Sequence, residues 1–178
     1  MKRPRIAITG GIACGKSLAA KFLAEEGVAT IDADDIVHEL VPEEERRRLA
    51  AVVFKEPAAR KALEARLHPI VKTRIREALD RSGNETIAVV PLLFEVQWDA
   101  EYDIICTITS AEEVQIKRMM TTRGMTRGEA EARLASQMPV AEKAERSQYV
   151  IRNDGTAEEL KEAVRGFVRY LKEYRHGR

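Results

Sequence analysis

The chain has 178 residues, 44% hydrophobic and 33% charged, which suits one domain spanning 1–178 with a buried core and a charged surface. Its 30 basic and 29 acidic side chains leave a formal charge of +1, and aromatic residues make up only 5%, which argues against a large nucleic-acid footprint and a base-stacking platform. The longest apolar run, 87–94, is broken by Pro91 and too short to cross a bilayer, and Cys14 and Cys106 alone make no disulfide framework. The basic start at Lys2, Arg3 and Arg5 is followed too soon by Thr9, Gly10 and Gly11 for a signal peptide, so the expected location is the cytoplasm with no membrane association.

In chain order, apolar strand-like runs alternate with amphipathic helical stretches. The pattern predicts an α/β fold with a mainly parallel sheet. A strand at 6–9 leads through a glycine-rich turn into a helix at 18–26, followed by a second strand at 28–31. Residues 43–81 hold no convincing strand and are punctuated by Pro57, His68 and Pro69, so they read as a largely helical insertion. Strands then follow at 86–92, 103–109 and 149–151, several with little alternation, as expected when both faces are buried. Ser110 with Glu113, Thr126 with Glu129 and Thr156 with Glu159 have capping-box spacing and mark helix starts. In the last of these helices Leu160, Ala163, Val164, Phe167, Val168 and Leu171 recur at helical intervals, a stripe that belongs to the core.

The turn after the first strand, Gly10-Gly11-Ile12-Ala13-Cys14-Gly15-Lys16-Ser17, has the spacing of a phosphate-binding P-loop between a strand and a helix. Its glycines let the backbone bend around phosphate, successive N–H groups point inward at a helix N-terminus, Lys16 supplies a cation and Ser17 a hydroxyl for Mg²⁺. A mere linking turn explains the glycines but not Lys16-Ser17 behind them. Cys14 sits among these amides, which favours a thiolate and oxidation-sensitive nucleotide binding; the competing reading is a small residue that fits.

The second strand runs into Asp32-Ala33-Asp34-Asp35, at the sheet edge where ligands of open parallel sheets bind. If the extended conformation continues, Asp32 and Asp34 share a side. A carboxylate there can accept the proton of an attacking hydroxyl or hold metal-bound water. Asp35 reads instead as a helix-start acid suited to the dipole. Further on, Lys117, Arg118, Arg123, Arg127 and Arg133 surround Gly124. Guanidinium groups on a helical flap can neutralise the charge of a transferring phosphoryl group, although a solvated charged face accounts equally well for any single arginine.

Together these residues resemble the dephospho-coenzyme A kinases nearly end to end. The likeness runs through T-G-G-I-A-C-G-K-S at 9–17, I-D-A-D at 31–34, L-H-P at 67–69 and V-P-L-L-F-E at 90–95. It continues through Q-I-K-R at 115–118, A-R-L-A-S-Q at 132–137 and I-R-N-D-G at 151–155. The P-loop is common to many ATPases; the D-A-D, H-P and P-L-L-F-E elements in this order are more specific. The resemblance implies a P-loop kinase fold: a five-stranded parallel sheet flanked by helices, with a helical acceptor-binding insertion at 35–81 and a lid at 111–147. It implies ATP-dependent phosphorylation of the ribose 3′-hydroxyl of dephospho-coenzyme A, with Mg²⁺. Asp34 resembles the general base, and Asp32, with Ser17, the metal-linked group. Lys16, Arg118 and Arg123 resemble the groups that stabilise charge. Gly11, Ile12, Ala13, Cys14, Gly15, Ser17, Leu18, Asn153 and Gly155 resemble the nucleotide site. Asp32, His68, Pro91, Leu92 and Glu95 resemble the acceptor pocket. Read without the family, His68 caps a helix break, Leu92 and Leu93 are strand-end core, and Glu95 is a solvated loop residue.

Three positions depart from the family pattern. The stretch between Asp34 and Leu67 is short, although Arg46, Leu49, Val53 and Phe54 keep an R-x-x-L-x-x-x-V-F pattern, so the acceptor subdomain is expected to be reduced. Thr122 stands where a lid arginine is usual, with Arg123 beside it. Leu18 replaces a common hydroxyl residue. Alternatives at this point are a P-loop kinase for another small molecule or nucleotide and a non-catalytic nucleotide-binding paralogue; a GTP switch lacks its N-K-x-D motif. The expected partners are small-molecule substrates, ATP and dephospho-coenzyme A, with no nucleic acid, and the chain is expected to act as a monomer or weak homo-oligomer.

Overall fold

The computed structural model describes residues 3–44, 57–81 and 86–176. The pattern at Arg46, Leu49, Val53 and Phe54 lies outside the described residues. In chain order the elements are β1 (Ile6–Gly10), α1 (Lys16–Glu25), β2 (Ala29–Asp32), α2 (Ala33–Leu40), α3 (Pro57–Arg81) and β3 (Thr86–Val89). A 3₁₀ turn (Asp99–Glu101), β4 (Ile104–Thr109), α4 (Glu112–Arg123), α5 (Arg127–Ala135), α6 (Val140–Glu145), β5 (Tyr149–Arg152) and α7 (Ala157–His176) complete the chain.

The strands form one parallel sheet in the order β2-β3-β1-β4-β5, as the alternation of strand and helix predicts. Central β1 is buried along its whole length, which its unbroken apolar run requires. One face of the sheet packs against α1 and α7, with Ile8, Ile104 and Ile108 meeting Leu23, Leu160, Val164, Phe167 and Leu171. The stripe read from the sequence is therefore core. The other face packs Ala88 and Ile105 under Val71 and Ile75 of α3 and Leu93, Phe94 and Trp98 of the segment after β3. Burying each such large side chain contributes about 1.5–3 kcal/mol before the entropy of ordering is subtracted. A small separate cluster, Ile116 and Met119 of α4 with Ala130 of α5, joins these two helices.

Four local expectations are corrected. β3 stops at Val89 rather than at residue 92. Pro91 has no N–H for a ladder, and after Val90 N–H donates to Ile8 O the chain turns, with Leu93 N–H donating to Val90 O. Pro69 does not interrupt the helix: α3 runs through it, and Ala65, whose carbonyl a proline at 69 leaves without its helical donor, is an exposed residue. Ser110 does not cap α4. Its hydroxyl is buried and donates to Asn153 O at 2.6 Å, while Asp154 Oδ1 accepts from Ala111 N–H at 2.6 Å. Finally, the extended conformation ends at Asp32, which is itself the cap of α2 and accepts from Asp34 N–H at 2.8 Å, while Asp35 lies in the first turn of α2 as a helix-start acid does. Thr126–Glu129 and Thr156–Glu159 form the reciprocal bonds their spacing predicts.

Candidate active site

Because every strand pair is parallel, all five carboxyl ends open on one edge, and a cavity of about 580 Å³ lies there. The phosphate loop forms its floor through Ile12, Ala13, Gly15, Lys16, Ser17 and Leu18. Gly15 has φ 94°, and a Cβ there would lie 2.3 Å from Asn153 Nδ2, so only glycine satisfies both the turn and the approach. Gly10 is constrained similarly, since its Cβ would lie 2.3 Å from Ile108 O.

Side chains from distant segments pin the loop backbone. Asn153 Nδ2 donates to Cys14 O at 2.9 Å, and Arg118 Nη1 donates to Ala13 O at 3.2 Å and to Ser110 Oγ at 3.0 Å. Gln115 Nε2 donates to Ile12 O at 2.7 Å, and Ile12 N–H donates to Gln137 Oε1 at 3.2 Å. Lys16 folds back over the loop, its Nζ donating to Gly10 O at 3.1 Å and Gly11 O at 2.8 Å. Burial pulls its ammonium below the ordinary 10.5, and the charge of Lys143 pulls the same way against Asp34 and Asp32. Such a lysine gains from an arriving polyanion.

A second wall carries the acids. Asp34 is exposed to the cavity, Asp32 is half-buried beside it, and Pro91 completes the wall. Burial pushes the Asp32 carboxyl up against the pull of the Asp34 N–H, and the charges of Asp34 and Asp35 push further, so a cation at this spot would relieve it. The cavity is also lined by Arg118, Thr122 and Arg123 from α4, by Gln137, and by Asn153, Gly155, Thr156 and Ala157. Both Thr122 and Arg123 face the cavity, and Thr122 Oγ1 also donates to Arg118 O at 2.6 Å. Of the other basic residues, Arg127 pairs with Glu113 and Glu131 on the surface.

Three residues expected at the acceptor lie outside this lining. His68 sets its ring edge-on to Trp98 with centroids 5.6 Å apart, and Leu92 is half-buried in the turn after β3. Glu95 Oε1 accepts from Met138 N–H at 3.1 Å and from the fully buried Lys143 Nζ at 2.8 Å. The same ammonium donates to Pro91 O at 2.9 Å, and Thr9 Oγ1 donates to that carbonyl at 3.1 Å. Sequence reasoning missed Gln115, Gln137 and Lys143. The first two stand inside the quoted Q-I-K-R and A-R-L-A-S-Q stretches, which was their only signal. The thiolate reading of Cys14 is overturned: the side chain is buried, Gln115 Nε2 lies 3.1 Å from Sγ, and burial pushes the thiol up despite the pull of Lys16.

Among the described residues no cluster of three or more His, Cys, Asp or Glu side chains forms. The hard oxygens at hand, Ser17 hydroxyl and Asp32 carboxylate, suit an ion that keeps water and phosphate ligands, as Mg²⁺ does. Among the described residues no helix is long and apolar enough to cross a membrane.

The sequence profile of the family described as dephospho-CoA kinase matches residues 5–45 and 43–159. A dephospho-CoA kinase of Geobacillus kaustophilus is 35% identical over 182 residues, covering 88% of this chain and 90% of that protein. A Thermus thermophilus protein of known crystal structure superposes with a TM-score of 0.80 at 33% identity, over 96% of this chain and 99% of its own. A Campylobacter jejuni dephospho-CoA kinase superposes with a TM-score of 0.73 over 98% of this chain and all of its own, and at 23% identity it speaks to the fold. The fold is that of the P-loop kinases.

Proposed function

The chain belongs to the dephospho-CoA kinase family, and from that premise we propose that the cavity at the strand ends is where its two substrates meet. The reaction is transfer of the γ-phosphoryl group of ATP to the 3′-hydroxyl of dephospho-coenzyme A, giving coenzyme A and ADP. The observation that carries the assignment of roles is the convergence of Lys16, Asp34 and Arg118 on one cavity.

In this reading the loop amides not already bonded within the protein, which leaves out Ile12 and Cys14, receive the phosphates, and Lys16 exchanges its two loop carbonyls for phosphate oxygens. Asn153 holds the loop from below, and Gly155 leaves room beside it for the nucleotide. The acceptor oxygen forms its bond to γ-phosphorus as the bond to the ADP oxygen breaks, and its proton passes to the Asp34 carboxylate. Arg118 and Arg123 stabilise the charge spread over the equatorial oxygens. Ser17 and Asp32 would hold Mg²⁺, which when bound neutralises phosphate charge. Residues 111–147 serve as the lid and 35–81 as the acceptor-binding insertion. Pro91 walls the acceptor directly, and Leu92, His68 and Glu95 support that wall from behind it. The cytoplasmic location expected from the sequence is part of the same reading.

The test is ADP release by the purified chain with ATP and Mg²⁺, with and without dephospho-coenzyme A, together with detection of the 3′-phosphorylated product. Acceptor-dependent release with that product is expected. Phosphorylation of a different acceptor with none of dephospho-coenzyme A would overturn the reading.

A further inference from the structure

The backbone N–H and C=O of Ile12 are each held by a glutamine, and the two glutamines are not equivalent. Gln115 is buried and both of its Nε2 contacts, to Ile12 O and Cys14 Sγ, are inside the protein. Gln137 is half-buried and lines the cavity. An N–H can only donate, so the atom of Gln137 that meets Ile12 N–H at 3.2 Å must be the carbonyl oxygen. That fixes the amide without ambiguity of flip and leaves its NH₂ group at the other corner. Among the described residues no protein acceptor takes those hydrogens.

The backbone that carries Gln137 is held as well. Gln137 N–H donates to Leu134 O at 3.1 Å, and the next residue, Met138, donates to Glu95 Oε1 at 3.1 Å. A side chain aimed by a bonded backbone at one end and an anchored carbonyl at the other is preorganised. A donor of that kind acts on charge that develops during reaction without first having to be ordered.

We propose that Gln137 is a catalytic residue whose Nε2 donates to an oxygen of the phosphoryl group in transfer. The proposal rests on the reading of this cavity as the ATP site. Gln137 lines the same cavity as Lys16, Asp34 and Arg118, so its unclaimed donors belong to the space where phosphate and acceptor are read to meet. Unlike the two arginines it brings no charge, so it adds less to ground-state binding of the polyanion than they do, and its bond strengthens as charge develops on the oxygen.

Gln137→Glu separates this role from simple anchoring of the loop. A carboxylate still accepts from Ile12 N–H but has no hydrogens to give. In the coupled assay on the full chain, kcat of Gln137→Glu should fall by about 100-fold or more, over and above any rise in the KM for ATP from the charge it adds. Gln137→Leu removes the donor without adding charge and should also lose kcat. Thermal unfolding of both variants should stay within a few degrees of the parent. A kcat within about threefold of the parent in either folded variant overturns the proposal, as does a loss confined to the KM for ATP. A parent protein with no turnover on dephospho-coenzyme A overturns the reading beneath it too, so the two failures are told apart.

Discussion

Along the phosphate loop, successive peptide groups are tied to side chains from far along the chain: Ile12 to Gln115 and Gln137, Ala13 to Arg118, Cys14 to Asn153. At the acids that line the same cavity, the bond that fixes Asp32 is to the amide of Asp34 only two residues on, and Asp34 is exposed. The first wall is built before any ligand arrives; the second leaves free the carboxylate proposed as the base. The difference suits the two substrates. A triphosphate presents the same oxygens every time, so fixed amides cost little reorganisation. A hydroxyl must be approached, deprotonated and released.

The largest expected effects break the two walls separately. Asp34→Asn keeps the size and the cap geometry but cannot take a proton, so kcat should fall by about 10³-fold with ATP affinity unchanged. Lys16→Met, on the phosphate wall, should lose both turnover and ATP affinity. Steady-state kinetics and calorimetric ATP binding check the pair. An active Asp34→Asn variant would remove the base assignment and leave the fixed wall as the whole of the machinery.

The walls are joined through Pro91, whose carbonyl takes hydrogen bonds from Thr9 below the loop and from Lys143. Lys143 is fully buried, and its partner Glu95 has a buried Oε2 with no protein donor. Lys143→Met therefore strands a largely enclosed carboxylate, and unfolding in denaturant should show a loss of roughly 3 kcal/mol. Adding Glu95→Gln to Lys143→Met should return much of it, because the stranded charge is gone. Equal stability of the single and double variants would show that the pair does not hold the walls together.

Asn153→Ala sharpens the same comparison at smaller cost. It removes the donor to Cys14 O in a buried place, worth about 2 kcal/mol, and loosens only the phosphate wall. The KM for ATP should rise while the KM for dephospho-coenzyme A holds. A rise in both would mean the walls move as one.

The two walls were also unequally legible in the sequence. The phosphate loop is a local device: Gly10, Gly15, Lys16 and Ser17 lie within eight residues, and the chemistry follows from their spacing. The parallel sheet was legible too, because strands buried on both faces leave unbroken apolar runs. The clamps were not. Gln115 and Gln137 reach Ile12 across 103 and 125 residues, and a glutamine on a helix or in a turn looks like solvated surface until the fold closes. Lys143 was hidden for the same reason: a lysine is seldom fully buried, and its carboxylate partner lies 48 positions earlier in the chain. Ser110 misled because its spacing to Glu113 fits a cap, whereas its hydroxyl goes to Asn153 O and the Ala111 N–H at the helix start goes to Asp154, just after β5.

The smallest expected effect concerns Cys14, the one residue of the phosphate wall for which the sequence pointed to reactivity. Amides and a lysine near a thiol favour thiolate only where water or a cation can reach the sulfur, and here the sulfur is sealed under Gln115. Burial therefore wins and holds the thiol above its ordinary 9.0, as it does more strongly at Cys106. For an acid whose folded value is raised, the folded chain keeps its proton after the unfolded chain has lost it. Stability is then untouched below 9.0 and falls as pH rises beyond it toward the folded value. Under native conditions near pH 8, iodoacetamide should leave both cysteines unmodified over hours and turnover unchanged, and mild peroxide should do the same. Stoichiometric labelling of Cys14 within minutes, with loss of ATP binding, would mean that the phosphate wall opens in solution and that its rigidity has been overstated.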